Sequence, residues 1–437
     1  MTKTTTPEGW RRPVIRSLSI LFVLPFLASA AISSLAADDP RVLADEAVDA
    51  NPGLEALRAR TAELDALAGA AGTWSDPVFG IEYSNVPVNS FSLRDHPMSA
   101  LQLQAEQTSP PWGWSGLRQK VATSRTQASE HALAEAQSQL RRQVYELFWE
   151  LTLTRMLEDV TRQHIARTEE LLEAVRARYE TGAAGQHQLL RLGVLRDRLG
   201  DELGDFARAD SVLSAALARA LSRGAGRSFA TPRQLEPKPV SGTVSEWLAL
   251  AREERPELKR LGESVRTAET AAELARVDGR PDVTVWMKYR ARSIDTPLDD
   301  GTDQVSVGFS VPIPWGSAKR SRAERAAQRQ VARAERARLA AALDWIESDL
   351  TAIHARWTRA FEQVIAYREN LTPAAGAALE TAFSDYSVGR ADFANLFEAE
   401  VALLDLERTL VSATVQTHIQ AAAADASVGT ALRGGRP

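Results

Sequence analysis

The feature of this sequence that most constrains its fold is an internal duplication. Four short landmarks of the first half recur in the same order in the second half, at offsets of 203 to 207 residues. They are Asn51-Pro52-Gly53-Leu54 with Arg255-Pro256-Glu257-Leu258, Asp76-Pro77-Val78 with Arg280-Pro281-Asp282-Val283, Pro111-Trp112-Gly113 with Pro314-Trp315-Gly316, and Tyr179-Glu180-Thr181-Gly182 with Tyr386-Ser387-Val388-Gly389. Because order and spacing are both kept, the sequence predicts two copies of one structural repeat.

The duplication divides the 437 residues into five predicted segments. These are a signal peptide (1–36), a first repeat (37–223), a Pro- and Gly-rich linker with an equatorial segment (224–250), a second repeat (251–425) and a flexible tail (426–437). In the first repeat we expect strands at about 77–88 and 98–110, a long helix at 115–180 and a return helix at 186–222. In the second we expect strands at about 281–292 and 303–312 and helices at 316–388 and 391–425.

The first segment has the pattern of a secretory signal peptide. Arg11 and Arg12 precede an apolar run that extends from Leu18 to Ile32, and small residues follow at the cleavage spacing. A membrane anchor is the alternative, but the run is interrupted by Pro25 and is shorter than the ~20 residues that a spanning helix needs. We therefore expect export.

Composition excludes several classes of function. The chain has no cysteine, which excludes disulfides and thiolate sites, and its net charge of −5 argues against a nucleic-acid partner. Its six histidines have no metal-ligand spacing, and no nucleophile elbow, phosphate loop or dinucleotide fingerprint is present. We expect no enzyme activity, no catalytic or metal-binding residues and no cofactor.

The four predicted strands alternate apolar and polar residues, which gives each strand one apolar face and one polar face. Phe79, Ile81 and Tyr83 show this pattern in the first repeat, and Val305 and Val307 show it in the second. Hairpins on a soluble core are one interpretation, and strands that face lipid are the other. The flanking helices are too long and thin to supply a core, which favours lipid. Four strands are too few to close a membrane barrel, so several copies must contribute.

The predicted long helices have the length of a spacer. From Ser115 to Glu180 only Gly116 interrupts a helical pattern, and Leu133, Leu140 and Leu147 repeat at intervals of seven residues. At ~1.5 Å per residue this helix is about 100 Å long. Its counterpart in the second repeat is expected to break only at Pro373 and Gly376.

Together, these elements resemble the TolC family of outer-membrane efflux proteins over nearly the whole chain. The most particular stretch resembles the heavy-metal, or cation, efflux branch. It comprises Asn85-Val86-Pro87-Val88-Asn89-Ser90-Phe91, then His96-Pro97-Met98, then Gln107-Thr108-Ser109-Pro110-Pro111-Trp112-Gly113.

The resemblance implies a mainly α-helical fold with membrane β-strands. Long coiled-coil helices form an α-barrel, and each protomer contributes four β-strands to a 12-stranded β-barrel shared by a homotrimer. It also implies a place in the outer membrane of a Gram-negative bacterium, with the helices extending into the periplasm. The partners are outer-membrane lipid, a periplasmic adaptor (membrane fusion) protein and an inner-membrane pump of the RND type.

Functional residues follow from the same resemblance. The gate at the periplasmic tip is assigned to Tyr386, Arg390, Asp392 and Glu398, where Glu398 forms an acidic ring, Arg390 and Asp392 exchange salt bridges between protomers and Tyr386 bonds across the same gap. The hairpin tips that contact the adaptor are assigned to Tyr179, Gly182 and Gly389. The tryptophans expected at the membrane interface, where strand gives way to helix, are Trp112, Trp114 and Trp315.

Two alternatives stay open. One is a periplasmic coiled-coil adaptor or scaffold protein, which would also be exported and rich in helix. The other is a TolC-like channel that serves drugs or type I protein secretion in place of metal cations. The sequence does not identify the exported substrate.

Overall fold

The computed structural model describes residues 37–432, apart from 97, 225, 293–301 and 314. The predicted signal peptide and the last five residues of the predicted tail lie outside the described residues. The helices are α1 (Pro40–Ala50), α2 (Pro52–Ala70), α3 (Trp114–Glu180), α4 (Gln186–Ala220), α5 (Val244–Glu254), α6 (Pro256–Val277), α7 (Ser317–Ala366), α8 (Thr372–Ser387) and α9 (Phe393–Val428). The strands are β1 (Val78–Ser84), β2 (Ala100–Ser109), β3 (Val283–Ala291) and β4 (Gln304–Ser310).

The two halves repeat one order of elements: a short helix, two strands, a long helix and a return helix. Proline opens both short helices, α2 at Pro52 and α6 at Pro256, where its missing N–H leaves no helical bond unmade. The Asn51 side chain accepts bonds from the first two free N–H groups of α2, and this fixes the start of that helix.

All four strands form one antiparallel sheet in the order β1-β2-β3-β4. The register places Ile81 opposite Leu103, Leu103 opposite Tyr289, and Tyr289 opposite Val305. The central pair β2 and β3 comes from different halves, so the sheet joins the two repeats at one end of the protein.

The long helices pack side by side, with α3 between α4 and α9, and with α9 also against α7 and α8. Buried apolar side chains lie along these seams in four clusters. The clusters are centred on Phe148 near α1, on Trp247 of α5 and Trp357 of α7, on Val160 and Leu404 between the halves, and on Tyr386 at the far end.

The long helix of the second half differs from its prediction, because it does not break at Pro373 or Gly376. It continues from α7 through a π-helical turn, Tyr367–Leu371, into α8. The N–H of Thr372 donates to the carbonyl of Tyr367, and Pro373, which has no N–H to donate, follows directly as the second residue of α8.

Two further boundaries differ from those expected. The predicted linker and equatorial segment, 224–250, contains the start of α5, whose capping box at Thr243 and Glu246 begins a helix there. The predicted flexible tail begins inside α9, which ends at Val428 with Ser427 and Val428 buried. Within the described residues, no helix combines the length and the apolar character needed to cross a membrane.

Candidate functional site: the sheet face and the hairpin tips

One face of the sheet is apolar and exposed. The side chains of Phe79 and Ile81 are each 77% exposed, and those of Val307 and Phe309 are 69% and 73% exposed. The strand register aligns them in rows across the sheet, such as Phe79 opposite Ala105, Met287 and Val307. Surfaces of this kind are rare on soluble monomers and mark contact with a membrane or a partner.

The opposite face of the sheet is polar and internally bonded. Gln102 donates to Glu82 across β1 and β2 at 3.2 Å, and the hydroxyls of Thr108 and Thr284 lie 2.9 Å apart. The predicted alternation of apolar and polar faces is therefore present in the folded sheet.

Trp286 lies on the polar face, where the ammonium group of Lys288 approaches its ring to 5.4 Å from the centroid. Gly308 on the neighbouring strand makes room for the indole, since a Cβ there would lie 2.3 Å from the ring. Gly80 on β1 has no such constraint, because its Cβ would come no closer than 3.8 Å to any other residue.

The two outer strands each have an open edge. Within the described part of the chain, β1 pairs only with β2, and β4 pairs only with β3. Unpaired N–H and C=O groups at such edges are templates for pairing with another chain.

The three predicted interface tryptophans occupy different environments. Trp112 and Trp315 are 94% and 90% exposed, at the ends of β2 and β4, as a membrane-interface position requires. Trp114 is partly buried, and the guanidinium of Arg118 lies 4.8 Å from its ring centroid. Trp114 is therefore less exposed than the other two tryptophans, and its assignment to the interface belt stays a prediction.

At the far end of the molecule, both hairpins turn by the same mechanism. Gly182 and Gly389 adopt positive φ values of 76° and 81°. Each glycine N–H donates to the carbonyl of the tyrosine three residues earlier, Tyr179 or Tyr386, at 2.9 and 3.0 Å. The two predicted tips therefore share one turn geometry. The positive φ favours glycine, because glycine has no Cβ to clash with the backbone.

The two tyrosines differ in their surroundings. Tyr179 is 44% exposed, whereas Tyr386 is 2% exposed and packs against the tip of the first half. The Tyr386 hydroxyl donates to Gln188 at 2.7 Å, and the Arg178 guanidinium bonds to the Tyr386 carbonyl and stacks on its ring. Burial raises the pKa of Tyr386, and the positive charge of Arg178 opposes that change. The Tyr386 hydroxyl is thus donated within the chain, and its expected bond to a neighbouring protomer stays a prediction.

The other three predicted gate residues, Arg390, Asp392 and Glu398, have exposed side chains. Asp392 is the N-cap residue of α9, and Glu398 lies in the second turn of that helix. None of the three forms an ion pair inside the described part of the chain. Arg178 and Gln188, which hold Tyr386, were not among the predicted site residues.

No group of three or more His, Asp or Glu side chains in the described ranges is placed to hold a metal ion.

Solved outer-membrane proteins share this fold. The outer membrane protein VceC from Vibrio cholerae aligns with a TM-score of 0.74 at 19% identity, over 90% of this chain and 96% of that chain. CusC, described in connection with transmembrane channel formation, aligns with a TM-score of 0.69 at 14% identity, over 91% and 96%. The open-state outer membrane channel MtrE of Neisseria gonorrhoeae aligns with a TM-score of 0.67 at 15% identity, over 90% and 89%.

No family model matches the sequence, and no curated protein matches it. The predicted TolC-like fold of long helices and strands is confirmed by these structures.

Proposed function

We propose that this chain is one subunit of a passive exit duct in the outer membrane of a Gram-negative bacterium, which serves an efflux system. The observation that carries the proposal is the four-stranded sheet, with its exposed apolar face, its polar reverse face and its two open edges. Contact with lipid carries no free-energy penalty for the apolar face, whereas contact with water is unfavourable.

Copies of the chain close the sheet in this proposal. In lipid an open edge leaves backbone groups without partners, so β1 of one copy pairs with β4 of the next. Two copies would supply about eight strands and three about twelve, and both numbers occur in membrane barrels. The resemblance to the TolC family favours three, a homotrimer with a 12-stranded barrel.

The helices support the same assembly. Helix α4 lies at one side of the helical layer and exposes Leu190, Val194 and Val212 by 60% or more. Leu190 and Val194 are four residues apart and share one face of α4. A second copy that docks its α7 and α8 there would cover them and extend the layer into a tube. With 67 residues, α3 makes that tube about 100 Å long.

The partners and the gate belong to the same proposal. A periplasmic adaptor binds the hairpin tips at Tyr179, Gly182 and Gly389, and it connects the duct to an inner-membrane pump of the RND type. Arg390, Asp392 and Glu398, all exposed, form the charged constriction, and the buried Tyr386 holds the two tips together. As cargo we propose small solutes, with metal cations first, on the likeness of the stretch 85–113 to the heavy-metal branch.

Cell fractionation combined with gel mobility tests this function. The full-length protein is expressed in a Gram-negative host, and membranes are separated by density. We expect it in the outer-membrane fraction, as a species of three copies before heating and one after heating. Recovery of a monomer in the soluble periplasm would refute the duct and favour the adaptor or scaffold.

A further inference from the structure

A histidine is completely buried between the two halves of the chain. His164 on α3 has no exposed surface, and its ring lies between two carboxylates of α9. Its Nδ1 is 2.6 Å from Glu400, whose side chain is 1% exposed, and its Nε2 is 2.9 Å from Glu407. Glu400 and Glu407 are seven residues apart, two turns on the same face of the helix.

The number of protons in this cluster follows from its geometry. A neutral imidazole has one N–H donor and one lone pair, so it donates to only one carboxylate. At the other contact, a lone pair would face an ionised oxygen at hydrogen-bond distance. Both carboxylate contacts of His164 are satisfied only when the cluster holds one further proton, on the imidazole or on one of the two carboxyl groups.

The charges around the cluster are few. Arg167, on α3, reaches Glu407 at 3.3 Å and also lies 3.2 Å from Nε2 of His164, between the ring and that carboxylate. Thr168 donates to the carbonyl of His164 at 2.7 Å. One turn away, Arg408 of α9 bonds to Thr161 of α3 and to Glu202 of α4. Arg408 and Glu202 neutralise each other, so they leave the charge of the histidine cluster unchanged.

With the proton bound, the cluster of His164, Glu400, Glu407 and Arg167 has no net charge. Without it, the cluster carries one buried negative charge, and one contact is repulsive. Burial alone lowers the pKa of His164, but the hydrogen bonds to Glu400 and Glu407 outweigh burial and raise the pKa above its usual value. Burial also opposes ionisation of Glu407, but the bond to His164 and the charge of Arg167 lower its pKa.

We propose that His164, Glu400 and Glu407 form a proton-operated latch, which holds α3 and α9 together while it is protonated and loosens the seam between the halves as the pH rises. Because the pKa of His164 is raised, the latch is stable at low pH and weakens at high pH. The latch is complete below about pH 6.5, the ordinary histidine value, and is lost as the pH rises through the higher folded value.

The latch lies on α3 and α9, the helices that end and begin at the two hairpin tips. His164 precedes Gly182 by 18 residues, or roughly 27 Å along the helix, and Glu400 follows Gly389 by 11 residues. The seam that the latch closes therefore runs directly down to the Tyr386 contact. A looser seam gives the two hairpins more freedom to move relative to each other.

The absence of cysteine allows a direct test in the full chain. A Val160→Cys change places a thiol of similar size inside the seam, since Val160 is 8% exposed and packs on Leu199 and Leu404. Gln163→Cys, on the exposed side of the same helix, reports the pH dependence of thiol reactivity itself. The rate of modification by a methanethiosulfonate reagent is measured for both from roughly pH 6 to pH 9.

We expect the ratio of the Val160→Cys rate to the Gln163→Cys rate to rise by about tenfold over this range. Adding Glu400→Gln should keep the ratio low at every pH, because the amide donates to the lone pair of a neutral His164 and needs no proton. Asp405→Asn removes a carboxylate from the exposed side of the same helix and should leave the step unchanged. Circular dichroism confirms that each variant is folded.

A ratio that stays constant with pH in the parent background would overturn the latch. So would a pH step that survives Glu400→Gln, because the step would then come from other groups. Neither outcome depends on channel activity, so the latch and the proposed duct are tested separately.

Discussion

A charge placed on the apolar face of the sheet tests the orientation of the sheet in lipid. Val307 is the central residue of the seven-residue strand β4, and its side chain is 69% exposed in the row of Met287 and Phe79. At ~3.3 Å per residue, it lies about 10 Å from either end of the strand. An arginine at this position is held far from both ends of the apolar band.

The expected cost follows from this depth. An arginine on the lipid side at the midplane of a membrane barrel costs about 2–4 kcal/mol for each copy. Since ~1.4 kcal/mol is a factor of ten, Val307→Arg should lower the folding equilibrium in lipid by roughly 30-fold to 1,000-fold. Ser306 is the adjacent residue and points to the polar face, so Ser306→Arg should cost much less.

The assay is folding of each purified variant into lipid vesicles across a urea series, followed by heat-modifiable gel mobility. We expect the urea midpoint to fall sharply for Val307→Arg and little for Ser306→Arg. Equal losses, or a greater loss for Ser306→Arg, would mean that the apolar face is not the face in lipid.

Three further changes have defined outcomes. Gly308→Val should lower the free energy of unfolding by about 1–3 kcal/mol, because the new Cβ meets the Trp286 ring. Gly80→Ala has no such contact and should not lower it. Urea titration of both variants distinguishes the effect of the clash from the effect of replacing a strand glycine. Tyr386→Phe removes one hydrogen bond at the tips, worth about 0.5–1.5 kcal/mol, and should raise the closed-state leak in planar bilayers; an unchanged leak would assign closure to helix packing. Glu398→Gln should weaken cation preference and block in the same bilayers, and an unchanged reversal potential in a salt gradient would remove this residue from the constriction.

Much of the fold is predictable because its signals are periodic. The alternation of apolar and polar residues around Ile81 and Leu103 predicts a strand with two different faces, and the folded sheet has those two faces. The tip glycines Gly182 and Gly389 are predictable from the duplication, since the same turn is needed twice.

Other features have no periodic signal. Residues 421–424 are four consecutive alanines, so the end of α9 shows no apolar stripe, and yet all four are buried. Small side chains let helices approach closely, and this packing carries α9 to Val428. The predicted flexible tail therefore began too early.

Contacts between the halves were the least predictable from sequence. His164 and Glu400 are separated by 236 residues, and neither belongs to a recognisable motif. The partners of Tyr386 were missed for the same reason, since Arg178 lies in a region of many similar arginines. Only the packing of α3 on α9 brings these groups together.

The drift in the repeat offset has a structural cause in the second long helix. The offset is 203 at Trp112 and Trp315 but 207 at Gly182 and Gly389. Helix α3 has 67 residues, whereas its counterpart has segments of 50, 5 and 16 residues, four more in total. Four residues exceed one α-helical turn by about 0.4 residue, or roughly 40° of rotation. A π-helix has more residues per turn than an α-helix, so each residue of Tyr367–Leu371 rotates the chain by a smaller angle. The π-helical turn therefore offsets the rotation that the four extra residues add. We infer that this turn keeps the Tyr386 side chain directed at the first-half tip despite the longer helix.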